Sequence, residues 1–237
     1  MRVGIMQPYF FPYIGYFQLI ASVDLMLFVS DFLYKKRGFV NRNRMIVNHS
    51  QSWLTLPVRK SSSNRTIEQH HVSLDYLAKH KMLRKIEQSY AKAPHLVEAM
   101  SILAQGLPSD QSGLAPTLLQ GLNNCSLALG IKTPTLMVHA AEIAPNSSGE
   151  QRIIDICSDF GATEYLNLPG GQSIYSPNSF SSRGIRLGFI NPLIDIYPQA
   201  NAKEFIPKLS ILDLLMNVSK HERPRFTRPQ GIFWQDL

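Results

Sequence analysis

The sequence has little cysteine and no long apolar run. Its two cysteines, Cys125 and Cys157, each lie in an apolar stretch of helical character (NNCSLALG and IIDICSDF), which favours buried free thiols over a disulfide framework or a zinc site. No apolar run approaches the roughly 20 residues that span a bilayer. Pro8 and Pro12 interrupt the apolar N-terminus, and no small-residue cleavage site follows. We therefore expect a cytoplasmic protein in a reducing compartment, with no membrane span.

Motifs for metals, phosphate loops and dinucleotides are also missing. No group of His, Asp and Glu has metal-ligand spacing, and the adjacent His70 and His71 would point to opposite faces of a strand. Neither a phosphate loop, nor a Rossmann glycine fingerprint, nor Gly-x-Ser-x-Gly occurs. The sequence therefore predicts no metal and no cofactor.

Charge is distributed unevenly along a chain of ordinary globular composition, 44% hydrophobic and 17% charged. Residues 1–100 carry 14 Lys and Arg against 6 Asp and Glu, whereas residues 101–237 carry 10 against 11. The basic first part favours an anionic partner such as a nucleotide, a phosphorylated sugar or RNA. The alternative is a solvated basic surface that keeps the protein soluble.

The order of apolar stretches predicts an α/β fold. A strand over residues 2–6, a helix over 14–21 and a continuous apolar strand over 23–31 form a βαβ unit. Residues 53–58 and 70–74 are further strand candidates. Later strands are expected at residues 133–138, 162–166 and 185–190, and helices at 76–93, 95–105, 115–129, 149–160 and 205–217.

This alternation indicates an open, mostly parallel, Rossmann-like sheet with a helical middle segment. We expect a single domain over residues 1–237, with a helical insertion at about residues 75–130. The basic, proline-containing stretch 220–228 is expected to be loosely ordered.

The loop after the first strand is crowded with aromatic residues, in the segment MQPYFFPYIGYF. Such a loop borders the ligand crevice of an open parallel sheet. Tyr9 and Tyr13 could wall a pocket for a base or sugar ring, Gln7 could orient the ligand, and the helix that follows would aim its amide end at a phosphate. The alternative is that these rings only cover an edge of the core.

The same loop invites comparison with nucleotidylyltransferases and class I synthetases, which carry His-x-Gly-His after their first strand. The corresponding stretch here is Tyr13-Ile14-Gly15-Tyr16, without either histidine. The comparison is therefore an analogy of fold, and adenylyl transfer by that mechanism is not expected.

A second candidate segment, SDFLYKKRGFVNRNRM, begins at Ser30 after the second strand. Its clustered cations repel one another, and an anion bound between them would relieve that repulsion through charge-assisted hydrogen bonds. Arg42 and Arg44 would share one face of an extended segment. The alternative is a solvated turn. Gly170-Gly171, after a later strand, would permit a close backbone approach to a ligand.

Several blocks of the sequence resemble the WbqC-like family, over nearly the whole chain. They are MQPYFFPYIGYFQLI, VDLMLFVSD, KKRGFVNRNRM, WLTLPV, YLNLPGG, IYPQ and EFIPKLSILDLLMN. The resemblance implies a role in bacterial O-antigen or other surface-polysaccharide synthesis, with transfer of an aminoacyl group such as glycyl to an amino sugar. The family's motif positions would be Gln7, Pro8, Gly15, Tyr16, Lys36, Arg37, Asn41, Arg42, Asn43, Gly170, Gly171, Gln199, Ser210 and Asp213.

The leading hypothesis is a transferase acting on a nucleotide-linked amino sugar. Asp31 is the candidate general base and Tyr16 the second candidate catalytic residue. The candidate substrate-binding residues are Gln7, Tyr9, Tyr13, Gly15, Lys36, Arg37, Asn41, Arg42, Asn43, Arg44, Gly170, Gly171, Tyr175, Gln199 and Ser210. The alternatives are a class I synthetase-like enzyme that uses aminoacyl-tRNA and a non-catalytic binding protein of a polysaccharide assembly. Donor, acceptor and oligomeric state are not specified by the sequence.

Overall fold

A six-stranded sheet forms the centre of the computed structural model, which describes residues 1–60, 64–108, 110–200 and 202–235. The strand order is β5-β2-β1-β6-β7-β8, and all neighbours are parallel except the antiparallel pair β7 and β8. The strands of this sheet are β1 (Arg2–Met6), β2 (Leu25–Val29), β5 (Thr135–Val138), β6 (Glu164–Asn167), β7 (Arg186–Asn191) and β8 (Gly231–Trp234). The predicted α/β fold with a mostly parallel sheet is confirmed.

Apolar side chains cover the sheet on both faces, as its buried central strands require. Val3 and Ile5 of β1 face one core with α6 and α7, whereas the α1, α3, α4 and α8 helices build the core on the other face with Met26 and Phe28 of β2. The helices are α1 (Ile14–Ala21), α2 (Tyr76–Ser89), α3 (Leu96–Gly106), α4 (Leu114–Ala128), α5 (Ala140–Ile143), α6 (Gly149–Asp159), α7 (Pro177–Ser181) and α8 (Ile211–Asn217).

The middle of the chain connects β2 to β5 and contains the three helices α2, α3 and α4. Asp75 caps α2 by accepting a hydrogen bond from the Ala78 amide at 2.7 Å. Cys125 in α4 and Cys157 in α6 are buried free thiols, which confirms the cysteine prediction. In the described part of the chain, no helix is long and apolar enough to cross a membrane.

An antiparallel hairpin of β3 (Arg42–Val47) and β4 (Ser50–Thr55) differs from the sequence prediction. The strand expected over 53–58 is shifted, and residues 70–74 make only isolated bridges rather than a strand. Asn48 and His49 form the tight turn with φ of 51° and 59°, a conformation that hairpin turns require and that Asn tolerates. Without a glycine at this turn, the hairpin signal was weak.

The C-terminal region also differs from prediction, because residues 220–228 are not loose. Arg223–Thr227 form a 3-10 helix in which the Arg223 side chain is fully buried. Its guanidinium donates to Glu98 in α3 and to the backbone carbonyls of Val218 and Leu215. The helix expected over 205–217 begins only at Ile211, after an N-cap.

Candidate functional site

A cleft of about 730 Å³ opens at the carboxyl ends of β1, β6 and β7. The strand order reverses between β1 and β6, and open α/β sheets bind their ligands at such a point. The main cleft is lined by Met6, Tyr9, Tyr13, Phe39, Asn167, Leu168, Pro169, Gly170, Gly171, Ile174, Tyr175, Asn191, Pro192, Ile194 and Lys208. A side pocket of about 210 Å³ adjoins it and is lined by Tyr9, Pro12, Tyr13, Tyr16, Phe39, Asn43, Arg44, Leu168 and Lys208.

Tyr9 and Tyr13 form the wall that the main cleft and the side pocket share. Behind them, Tyr16 is buried, lies parallel to Phe28 and donates its hydroxyl to the carbonyl of Gln7 at 2.6 Å. Burial raises the pKa of Tyr9, Tyr13 and Tyr16. All three phenols are therefore protonated at neutral pH and are not bases. The Tyr16 proton is already donated to the Gln7 carbonyl, so Tyr9 and Tyr13 are the two of the three whose hydroxyls could donate to a ligand.

Gly15 allows the ring of Tyr13 to fold back over the start of α1. A Cβ atom at position 15 would stand 2.4 Å from Cε2 of Tyr13, which is far inside van der Waals contact. The ring therefore takes its position in the wall only because residue 15 has no side chain. It also lies over the first turn of α1, where the sequence hypothesis placed a phosphate.

Two polar side chains fix the aromatic loop to the rest of the fold. The carbonyl of Phe11, a residue with φ of 42°, accepts from the Asn43 amide at 2.9 Å and from the Ser210 hydroxyl at 2.8 Å. Asn43 comes from the β3–β4 hairpin and Ser210 is the N-cap of α8. The loop, the hairpin and α8 thus meet behind the side pocket, and these long-range bonds hold the unusual backbone of Phe11.

Arg44 and Lys208 are the two cations that line the side pocket, and Lys208 also lines the main cleft. The Arg44 carbonyl accepts from the Ser210 amide at 2.8 Å, and its guanidinium lies 3.4 Å from the Lys208 carbonyl. Lys208 has φ of 56° and an exposed side chain. The pocket therefore combines aromatic walls with two cationic residues in its lining, a pairing suited to an anionic ring compound.

The other predicted basic residues lie elsewhere. Lys36 and Arg37 are exposed on the turn before β3. Arg42 lies over the ring of Trp53, with Cζ 4.0 Å from the ring centroid, and donates to the Gly38 carbonyl. Asn41 is buried and bridges the Tyr34 hydroxyl to the carbonyl of Leu56. Only Arg44 of this cluster lines the side pocket as a cation.

The glycine pair Gly170-Gly171 also lines the main cleft. A 3-10 turn, Pro169–Gly171, follows β6, and a Cβ atom at Gly171 would stand 3.0 Å from the Asn167 amide nitrogen and 3.1 Å from the Tyr175 ring. Asn167 is itself buried and donates to the Tyr165 hydroxyl at 2.9 Å. The tight turn therefore brings backbone close to the cleft, while burial raises the pKa of Tyr175 and keeps it protonated.

Asp31 lies past the carboxyl end of β2, at the same edge of the sheet but outside the lining of the main cleft and the side pocket. Its Oδ2 accepts from the Ala141 amide at 2.7 Å. Beside it, Glu68 accepts from the Ser30 hydroxyl and pairs with His139 Nδ1, each at 2.9 Å. Strand β2, which Asp31 follows, is the neighbour of β1 in the sheet, and adjacent strands lie roughly 5 Å apart. The role of Asp31 as a general base stays a prediction.

Gln199 and Asp213, two of the family motif positions, belong to a buried network rather than to the cleft. Asp213 accepts from the hydroxyls of Tyr90 and Tyr197 at 2.7 Å each and from the Gln199 amide at 2.8 Å. Burial raises the pKa of Asp213 above its usual value. Tyr90 also accepts from the Ile46 amide at 3.0 Å, so this network joins α8 to the hairpin.

Several residues that line the main cleft were not among the sequence candidates, and among them Lys208, Asn191 and Phe39 carry polar or exposed aromatic groups. Lys208 lies within the block EFIPKLSILDLLMN but was not singled out there, and Asn191 lies outside the motif blocks. Their place in the cleft depends on the turn before α8 and on the end of β7. Phe39 lies beside the predicted cations in the sequence. It is 44% exposed, and its ring contacts the ring of Trp53. The position of Phe39 beside the predicted cations in the sequence was the one feature that could have identified it as a cleft residue.

Among the residues that the structure describes, no group of three or more His, Cys, Asp or Glu side chains could hold a metal ion.

Comparison with known proteins agrees with the resemblance that the motif blocks carry. Residues 7–224 match the profile of the WbqC-like protein family. The chain is also 32% identical, over 235 residues, to the uncharacterized protein Rv1507c of Mycobacterium tuberculosis, covering 96% of this chain and 97% of that protein. No solved structure matches the chain. A profile match over nearly the whole length, with a relative similar from end to end, shows that this chain belongs to the WbqC-like protein family.

Proposed function

We propose that this protein is a transferase that modifies an amino sugar carried on a nucleotide, within bacterial surface-polysaccharide synthesis. The observation that supports it is the meeting of aromatic walls and two cations, Arg44 and Lys208, above the reversal point of a parallel sheet. A base or sugar ring would lie against Tyr9 and Tyr13. The diphosphate would lie at Arg44 and Lys208.

The size of the site fits this class of ligand. The main cleft has a volume of about 730 Å³, in the range of roughly 300–1,000 Å³ that holds ligands of this size, and the adjoining side pocket measures about 210 Å³. The main cleft also presents the Gly170-Gly171 turn and the Asn191 side chain. These backbone and amide groups would hydrogen-bond sugar hydroxyls.

The chemical step would be aminoacyl transfer. The sugar amine attacks the acyl carbonyl, the new N–C bond forms, the bond to the donor's leaving group breaks, and the proton of the amine passes to a base. Asp31 is the proposed acceptor of that proton. Because it lies outside the cleft lining, at the end of the neighbouring strand β2, this role requires the amine of the bound sugar to extend past β1 to within hydrogen-bond reach of the carboxylate. The change Asp31→Asn keeps an oxygen for the Ala141 amide and removes the basic carboxylate, so product formation should fall at least 100-fold without a change in ligand affinity.

Titration calorimetry with nucleoside-diphosphate-linked amino sugars tests binding at the cleft. Lys208→Met and Arg44→Gln should each weaken binding about tenfold or more, because each removes a charge-assisted hydrogen bond. Arg59→Gln removes an exposed cation that lies outside the cleft lining and should change nothing.

Two controls complete the experiment. The nucleoside without phosphate should bind at least tenfold more weakly than the nucleotide sugar, and equal binding would contradict the phosphate site. Mass spectrometry of the nucleotide sugar, incubated with an activated amino acid as acyl donor, detects transfer. Binding with no acylated product across the panel of donors would contradict the transferase and leave a non-catalytic binding protein.

A further inference from the structure

Helix α2 presents an outward face that the proposed catalytic cleft does not use. The face is a shallow concave surface of about 670 Å³ on one side of the helix, lined by Tyr76, Leu77, His80, Lys81, Arg84, Lys85 and Gln88. These positions repeat at intervals that place them along one stripe of a helix. Tyr76 and Leu77 are 74% and 77% exposed, so this surface is open to a partner.

The stripe is cationic and unneutralised. In the described part of the chain, no carboxylate pairs with Lys81, Arg84 or Lys85, and no acidic residue lines the concave surface. Lys81 and Lys85 are four residues apart, about 6 Å along the axis, where like charges destabilise a helix. A bound polyanion would relieve that repulsion, and the whole basic excess of the chain lies in residues 1–100, which include this helix.

Aromatic surface accompanies the charge. The rings of Tyr76 and His80 lie 4.2 Å apart, centroid to centroid, one helical turn from each other. Exposed rings beside cations are the arrangement on which unpaired bases stack while the phosphates are neutralised. The apolar side of α2, with the buried Ile86, packs instead against the protein core. A helix that inserts into a membrane would need that apolar side turned outward.

We propose that the outer face of α2 binds single-stranded nucleic acid, with phosphates at Lys81, Arg84 and Lys85 and a base stacked on Tyr76. Three neutralised phosphates give a binding constant that falls with salt with a log–log slope of about −2. Affinity should then drop roughly 16-fold between 50 and 200 mM salt.

Fluorescence anisotropy tests the proposal with a labelled 20-nucleotide RNA of mixed sequence, the same DNA sequence, and a folded tRNA. The triple change Lys81→Gln, Arg84→Gln, Lys85→Gln should abolish most of the salt slope. The matched control neutralises three exposed lysines at other sites: Lys132→Gln, Lys203→Gln and Lys220→Gln. It should bind as the wild type does. Tyr76→Ala should weaken binding about tenfold through lost stacking.

The outcomes separate clearly. Tighter binding of RNA than of DNA would identify RNA as the partner, equal binding would identify any single strand, and preference for tRNA would identify a folded RNA with exposed single strands. No binding at 50 mM salt, or equal loss in the α2 and control variants, would overturn the proposal. The proposal would also be overturned if the protein bound anionic lipid vesicles and did not bind nucleic acid. The α2 variants should still bind the nucleotide sugar, so this test and that of the cleft fail independently.

Discussion

The pair between Arg223 and Glu98 supplies the sharpest prediction about stability. The Arg223 side chain is fully buried, whereas the side chain of Glu98 is 41% exposed. Two guanidinium nitrogens donate to the two carboxylate oxygens at 2.8 Å each, and two further bonds go to backbone carbonyls. Glu98→Gln removes the only counter-charge recorded for this buried guanidinium among the described residues.

Breaking a buried ion pair by removing one partner costs about 3–5 kcal/mol. We expect the lower value, about 3 kcal/mol, because water reaches the exposed side of Glu98. For a domain of this length the midpoint of thermal unfolding should fall by about 6–12 °C. Glu87→Gln changes an exposed carboxylate on α2 and is the control, with an expected change within about 0.5 kcal/mol.

The same pair predicts the direction of a pH effect. The bond from Arg223 holds the pKa of Glu98 below its usual value. A carboxylate whose folded pKa is depressed contributes stability above its unfolded pKa, about 4.3, and that stability is lost as pH falls through the folded value. The difference in unfolding free energy between wild type and Glu98→Gln should therefore shrink from pH 7 towards pH 3. A difference below about 1 kcal/mol at pH 7, or one that grows on acidification, would refute the reasoning.

Three further outcomes follow from individual contacts. Gly15→Ala should displace the Tyr13 ring, lower the midpoint of thermal unfolding and weaken nucleotide-sugar binding. An unchanged affinity in calorimetry would contradict the proposal that the ligand lies against Tyr13. Asn43→Ala leaves the buried carbonyl of Phe11 with one donor fewer, so denaturant unfolding should show a loss of about 1–3 kcal/mol in the free energy of unfolding; less than half of that would contradict the role of Asn43 in holding the aromatic loop. Burial raises the pKa of the Cys157 thiol to about 12 and that of Cys125 as well, so Ellman's reagent should react quickly with neither until guanidinium unfolds the protein.

The parallel sheet could be predicted because its signals are local. β1 and β2 are continuous apolar runs, and the prolines and Gly15 between them exclude a strand. The hairpin could not be placed in the same way, because Arg42–Val47 begins with three polar residues. One of them, Asn43, is buried and donates to the carbonyls of Phe10 and Phe11, which lie 33 and 32 positions away. Such a burial is decided by tertiary contact rather than by local pattern.

The candidate site was predictable to a similar extent. The aromatic loop could be placed at the end of β1, and the structure brings Tyr9, Tyr13 and Arg44 to one side pocket. Lys208 could not be found, since its position depends on a left-handed backbone and on the carbonyl contact with Arg44. The catalytic and substrate-binding roles of these residues stay predictions.

The C-terminal stretch shows the limit most clearly. Its prolines and cations are typical of a solvated tail, yet the Arg223 guanidinium is buried against a carboxylate 125 positions earlier in the chain. Only a long-range partner makes such a burial favourable. Composition therefore indicated the wrong environment for a residue that joins the C-terminal region to α3.

The most direct measurement of the central claim is a crystal structure of the protein soaked with a nucleoside-diphosphate amino sugar. We expect a ring against Tyr9 and Tyr13 and phosphate oxygens within hydrogen-bond distance of Arg44 and Lys208. Ligand density at another surface, with this cleft empty at saturating concentration, would contradict it.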